Sequence, residues 1–229
     1  MGQLIARNDM GLERKSNCVR ILVVDDHPIV RLGICHMISA QHDLEICAEA
    51  DSAPEALRLA RELKPDLALI DLSLAQGPAF GLVRELRESA AGLQVLVLSM
   101  HDETLFAERA LRAGARGYIM KQTAIEGLVD AIRQVASGRI YVSEKMAQRA
   151  LERLGDPTAG PLGLLAALTD RELEVFDLIG HGKSTASIAE QLGVSIKTVE
   201  TYRANIKTKL DLKDATDLVR FATTWTSGL

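Results

Sequence analysis

Aromatic residues are scarce in this sequence, at 3% of the chain. Stacking platforms that grip single-stranded nucleic acid need several of them, so that function class is set aside. Long apolar runs are missing too. None approaches the roughly 20 residues a helix needs to cross a bilayer, and no membrane partner is expected. The start, Met1–Lys15, has Arg and Lys but no apolar segment, so it does not read as a secretory signal. Residues 1–16 are expected to form a flexible tail. Only three cysteines occur, Cys18, Cys35 and Cys47. Their odd number and lack of metal-ligand spacing argue against a disulfide framework; they are expected to be small buried hydrophobes in a reducing cytoplasm. Charge of one sign is also lacking, the net being −4. Against these absences stands a hydrophobic content of 47% over 229 residues, enough for a sizeable core divided into two domains.

Short apolar runs alternate with amphipathic stretches from Val19 to about Ile140. Strands are expected at Val19–Val24, Leu44–Ala48, Leu67–Ile70, Val95–Leu98 and Gly117–Ile119, because near-continuous apolarity fits strands covered on both faces. Helices are expected from Pro28, from the Ser52/Glu55 capping box, and over 79–90, 103–113 and 124–136. Five such βα units imply an α/β fold with a doubly wound parallel sheet. Ligands of these folds bind beyond the carboxyl ends of the strands.

Those ends carry the chemistry. Asp25 and Asp26 close the first run, and Asp71 closes the third. Clustered carboxylates are tolerable only with a cation among them, which points to a divalent metal such as Mg²⁺. An aspartate beside such a metal can itself attack phosphorus. Ser99 and Lys121, each after its own strand, are placed to meet a phosphoryl group. A single acid after a strand usually caps the next helix, and a lone Ser99 or Lys121 is ordinary. The joint pattern is far more specific. His27 and His101 lie near the cluster and read as solvent-facing loop residues.

The phrases VVDDHPIVRLG, LALIDLSL, VLVLSMHDE and GARGYIMK resemble the receiver domain of bacterial response regulators over about 17–141. The resemblance implies a flavodoxin-like receiver in which Asp71 accepts a phosphoryl group from a sensor histidine kinase. It also implies Mg²⁺ held by Asp26, Asp71 and the Ser73 carbonyl, with Asp25 acting largely through water. Ser99 and Tyr118 would form a switch pair, and Lys121 would pair with the phosphate. The chain departs from the family where Met-Pro commonly follows the phosphoacceptor, having Leu74-Ala75, and where Pro commonly follows the lysine, having Gln122.

Gly155, Asp156, Pro157, Gly160, Pro161 and Gly163 mark residues 142–166 as a linker, with a short helix near Ser143. Beyond it all is helical. Thr169 and Glu172 form a second capping box for a helix running to Gly180. Ser184–Gln191 and Ser195–Leu210, joined through Gly193, have helix-turn-helix proportions. From Leu168 onward there are 8 Lys+Arg against 9 Asp+Glu, which is not the basic footprint of many DNA binders. The stretch LTDRELEVFDLIGHGKSTASIAEQLGVSIKTVETYRANIKTKL resembles the LuxR-class DNA-binding domain of NarL/FixJ-type regulators, a small all-α domain at 167–229. This resemblance implies that Glu200, Thr201 and Ala204 approach bases, while Lys197, Thr198, Tyr202, Arg203 and Lys207 approach the backbone. Asp211 stands where the family commonly has Gly. The last helix, from Asp214 to about Thr224, would supply a dimer contact, unless Leu218 and Phe221 are core.

Together these readings imply a two-component transcription regulator, no more an enzyme than self-phosphorylation and self-dephosphorylation at Asp71 require. Phosphorylation is expected to open a closed form whose recognition helix the receiver masks. The expected partners are the kinase, double-stranded promoter DNA, a second copy on activation, and RNA polymerase. Two alternatives stand beside this one. An aspartate-nucleophile phosphatase is disfavoured because Ser73, not Asp, follows Asp71 by two. A degenerate receiver is disfavoured because all five phosphorylation residues are present.

Overall fold

The computed structural model describes residues 18–74, 77–90, 92–148, 165 and 167–226; the expected amino-terminal tail and most of the expected linker lie outside them. The receiver part runs β1 (Val19–Val24), α1 (Pro28–Ser39), β2 (Leu44–Ala50), α2 (Ala53–Leu63) and β3 (Leu67–Asp71). A short antiparallel hairpin follows, β4 (Ser73–Leu74) with β5 (Gly77–Pro78). Next come α3 (Phe80–Ser89), β6 (Gln94–Ser99), α4 (Glu103–Ala113), β7 (Gly117–Met120) and α5 (Ala124–Ala136). The five long strands are all parallel, in the order β2-β1-β3-β6-β7. Chain order reverses at β1, so the carboxyl ends of β1 and β3 flank the switch point.

Strand alternation gives the sheet two apolar faces. Ile21, Val23, Leu69 and Leu98 pack with Ile34 and Ile38 of α1 and with Leu128 and Ile132 of α5. On the other face, Leu22, Val24, Ile70, Val95 and Val97 meet Ala56, Leu86 and Phe106 of α2, α3 and α4. This second cluster continues without a break into Phe176, Ile188, Val199 and Ile206 of the carboxyl-terminal helices. At β7 the packing leaves no room for a side chain. A Cβ on Gly117 would stand 2.8 Å from Leu96 Cδ1 and from Val135 Cγ2, and 3.1 Å from the Tyr141 carbonyl.

After α5 the chain bridges back beside β7 at Tyr141. Residues 144–148 are helical, and the Ser143 hydroxyl accepts from the Met146 N–H at 3.2 Å. The remaining elements are α6 (Asp170–Gly180), α7 (Thr185–Gln191), α8 (Ile196–Lys209) and α9 (Ala215–Thr226). The Thr169/Glu172 capping box forms as expected. The Ser52/Glu55 box does not. Ser52 makes no side-chain cap, and Glu55 instead accepts from the Asp51 N–H at 3.4 Å. Gly193 takes φ +63 in the turn between α7 and α8, which glycine adopts without steric cost. Asp211, where the family commonly has Gly, takes φ +54; aspartate is one of the few other residues that visits this region. The cysteines are free and half-buried rather than buried.

Candidate functional site

Four of the five parallel strands, β1, β3, β6 and β7, deliver polar groups to a common point. Asp25 and Asp26 follow β1, Asp71 ends β3, Ser99 ends β6 and Lys121 follows β7. The register locks these ends together: Asp71 pairs with Leu98, Ser99 with Met120, and the Lys121 N–H donates to the Ser99 carbonyl at 2.7 Å. Lys121 Nζ donates to Asp25 Oδ2 at 2.9 Å and to Asp71 Oδ2 at 2.8 Å. Asp25 and Asp71 are buried, at 1% and 2% exposure. The Ser73 N–H donates to Asp71 Oδ1 at 3.2 Å.

Burial pushes the Asp71 carboxyl above the ordinary carboxylate range; Asp25 adds to this, while Lys121 opposes it. Burial works against the Lys121 ammonium, but Asp71 and Asp25 outweigh it and hold the lysine above its ordinary value. The cluster therefore keeps its cation at neutral pH. Ligand atoms of Asp25, Asp26, His27 and Asp71 lie within 4.8 Å of one another. Asp26 Oδ1 is buried and receives no hydrogen bond, although His27 Nδ1 stands 2.9 Å away. Converging carboxylate oxygens, one of them receiving no hydrogen bond, fit a hard divalent cation.

Ser99 and Tyr118, the expected switch pair, lie buried beside this cluster. Ser99 is fully buried, and its hydroxyl accepts from the His101 N–H at 3.0 Å. The Tyr118 ring is 1% exposed, and its hydroxyl donates to the His101 carbonyl at 2.9 Å. Burial pushes the Tyr118 phenol well up. His27 is exposed, as expected of a loop histidine, but His101 is buried at 6% exposure. Its Nδ1 lies 2.8 Å from Asp177 Oδ2 and its Nε2 2.9 Å from Ser73 Oγ. Burial disfavours a charge there, yet hydrogen bonds to Asp177 and Glu174 prevail and raise the imidazole to about 9. Nothing beside His101 in the sequence signals its burial, because Asp177 lies 76 residues later and Ser73 28 residues earlier.

The helix-turn-helix residues fall as their spacing implies. Ile188, Ala189, Leu192, Val199 and Ile206 are buried, and Val194 and Leu210 pack partly buried against them. Ser195 caps α8, accepting from the Thr198 N–H at 3.0 Å. Lys197, Glu200, Thr201 and Ala204 are exposed, while Thr198, Tyr202, Arg203 and Lys207 are half-exposed. The expectation of a masked recognition helix therefore fails for Glu200, Thr201 and Ala204, the residues expected to approach bases. What faces the receiver is the turn before α8. Glu190, Gln191, Leu192 and Gly193 line a cleft of about 720 Å³ together with Asp26, His27, Asp71 and Lys121. In α9, Leu218 is core and Phe221 half-buried, while Val219 is 42% exposed.

Residues 21–133 match the family described as "Response regulator receiver domain", and residues 166–222 match "Bacterial regulatory proteins, luxR family". The oxygen regulatory protein NreC of Staphylococcus aureus (strain JH9) is 37% identical over 210 residues, which cover 89% of this chain and 96% of NreC. A LuxR-family two-component response regulator from Aurantimonas sp. SI85-9A1 is 38% identical, covering 60% of this chain and 99% of that one, with a TM-score of 0.56. RcsB of Salmonella enterica serovar Typhimurium, bound to the promoter rprA with the phosphomimetic BeF3−, shares the fold. Its TM-score is 0.59 at 22% identity, covering 90% of this chain and 99% of RcsB.

Proposed function

We propose that Asp71 accepts a phosphoryl group and thereby controls promoter binding, from the premise that this chain belongs to the two-component response regulators joining a receiver domain to a luxR-type DNA-binding domain. The observation that carries the reading is Lys121 bridging buried Asp25 and Asp71, with a buried Asp26 oxygen that receives no hydrogen bond converging on them. The division into a receiver at 17–141, a linker at 142–166 and a DNA-binding domain at 167–229 is part of the same proposal.

The donor is a phosphohistidine of a sensor kinase. An Asp71 carboxylate oxygen attacks phosphorus and a P–O bond forms. The P–N bond breaks, and the departing imidazole nitrogen keeps the electron pair and takes up a proton. Asp26, Asp71 and the Ser73 carbonyl would hold Mg²⁺, with Asp25 reaching it through water; bound there, the ion supplies charge screening for the transferring group. Lys121 exchanges its Asp71 contact for a phosphoryl oxygen, and the Ser99 hydroxyl turns to donate to another. Tyr118, already inward, fills the space behind Ser99. No further substrate turns over, so the chain acts as a phosphoacceptor rather than an enzyme.

The output is DNA binding. With α8 in the major groove, Glu200, Thr201 and Ala204 face base edges, while Lys197, Thr198, Tyr202, Arg203 and Lys207 lie toward phosphates. A second copy, meeting α9 on its Val219 side, would set two half-sites about one helical turn apart. On such a site the dimer would meet RNA polymerase, in the cytoplasm. Affinity for a pool of random-sequence duplexes, measured before and after treatment with an acyl phosphate and Mg²⁺, tests the reading. Treatment should tighten binding and add one phosphoryl group to the wild-type chain, and do neither in Asp71→Asn. Equal affinity of treated and untreated wild type refutes it.

A further inference from the structure

His27 follows the two aspartates after β1 and stands at the N-cap of α1, where its side chain makes no capping bond. Backbone contacts set its place. The His27 N–H donates to Asp25 Oδ1 at 2.7 Å, and the His27 carbonyl accepts from the Arg31 N–H at 3.0 Å. Arg31 Nη1 in turn donates to the Asp25 carbonyl at 2.6 Å. The imidazole is thereby held against the acids, although 61% of the side chain stays exposed and open to solvent. Its Nδ1 lies 2.9 Å from Asp26 Oδ1, 3.3 Å from Asp25 Oδ1 and 3.8 Å from Asp71 Oδ2.

The contact with Asp26 is not a hydrogen bond, because the buried Oδ1 receives none. An imidazole nitrogen and a carboxylate oxygen set side by side in this way have the spacing of two ligands on one ion. Bonds of about 2.0–2.2 Å from Zn²⁺ to nitrogen and oxygen, at tetrahedral angles, put neighbouring ligand atoms about 3.3 Å apart. The three His27 distances, 2.9, 3.3 and 3.8 Å, straddle that edge. Lys121 does not compete for the same atoms of Asp25: it takes Oδ2, whereas His27 stands against Oδ1.

We propose that His27 makes this centre a transition-metal site, in which Zn²⁺ bound by His27 Nδ1 with Asp25 and Asp26 excludes Mg²⁺. This rests on the metal-holding part of the phosphoacceptor reading given above. Mg²⁺ takes oxygen ligands and keeps several waters, so the imidazole adds nothing to its binding. Zn²⁺ accepts nitrogen and oxygen together, and imidazole is among its preferred ligands. An ion held through the extra nitrogen keeps Mg²⁺ from its place beside Asp71, and phosphoryl uptake becomes sensitive to Zn²⁺.

The test uses the full chain, first stripped of metal with a chelator. Competition with a chromophoric chelator gives the Zn²⁺ affinity, and calorimetry gives the Mg²⁺ affinity. The wild type should prefer Zn²⁺. His27→Ala should lower the Zn²⁺:Mg²⁺ affinity ratio about tenfold or more, since even an outer partner of a metal ligand is worth about tenfold. His27→Gln, which keeps the size of the side chain but offers an oxygen, should lower it alike. Mn²⁺, as a spectroscopic stand-in, should show nitrogen coupling in pulsed paramagnetic resonance, and the coupling should vanish in both variants. A ratio that neither substitution moves overturns the inference, as does coupling absent from the wild type or surviving in the variants. If Mg²⁺ binds and Asp71 takes up a phosphoryl group while the ratio stays put, this inference falls alone. Binding of neither ion overturns the metal centre in both readings.

Discussion

Replacing Lys121 with alanine would leave Asp25 and Asp71, at 1% and 2% exposure, facing each other without the ammonium that now bridges them. Uncompensated buried charge of this kind costs about 3 kcal/mol. Thermal unfolding of Lys121→Ala in a chelator should register that loss, and added Mg²⁺ should recover most of it by returning positive charge to the cluster. Mg²⁺ should shift the parent much less, because Lys121 already balances two of the carboxylates. Recovery in the variant no larger than in the parent would speak against a divalent site there. These same residues were the legible part of the site. Asp25, Asp26, Asp71, Ser99 and Lys121 each punctuate the end of an apolar run, and a parallel sheet brings such ends together whatever lies between. His101 was not legible. Its burial depends on acids of a helix in the other domain, and no local pattern encodes a partner 76 residues away.

Among elements, β7 illustrates how tightly the sheet accepts its covering helix. At Gly117 an added Cβ would press on Leu96 and Val135 at 2.8 Å and on the Tyr141 carbonyl. Two of these neighbours are branched core side chains and one is backbone, so none yields cheaply. Gly117→Ala should destabilise the chain by about 2 kcal/mol, read as a lowered denaturant midpoint with an unchanged slope. A neutral result would mean that α5 can slide outward on the sheet. Long strands and helices were readable from period and caps; Glu103–Ala113 and Ala124–Ala136 have the expected bounds. The β4–β5 hairpin escaped, because two-residue strands carry no periodicity. The two capping boxes show the limit of a motif. Thr169 and Glu172 satisfy each other, whereas Glu55 reaches past Ser52 to the Asp51 N–H. The residue types are alike, and the entry direction of the chain decides.

On the scale of the whole molecule, the closed arrangement ties two binding events to one contact. Under the proposed function, a phosphoryl mimic at Asp71 and a duplex along α7 and α8 both favour a state in which α6 leaves the β6–α4 corner, where His101 and Arg109 now hold it. Each must then strengthen the other by the same factor, since coupling free energy is reciprocal. Beryllium fluoride titrated with and without the random-duplex pool gives one side of that identity, and duplex affinity with and without beryllium fluoride gives the other. The two ratios should agree. In Arg109→Ala both should fall toward one, because a chain that is already open has no closed population left to shift. Coupling that survives undiminished in this variant would place the communication in direct dimer contacts, such as those of α9, and not in the docking of α6 on His101 and Arg109.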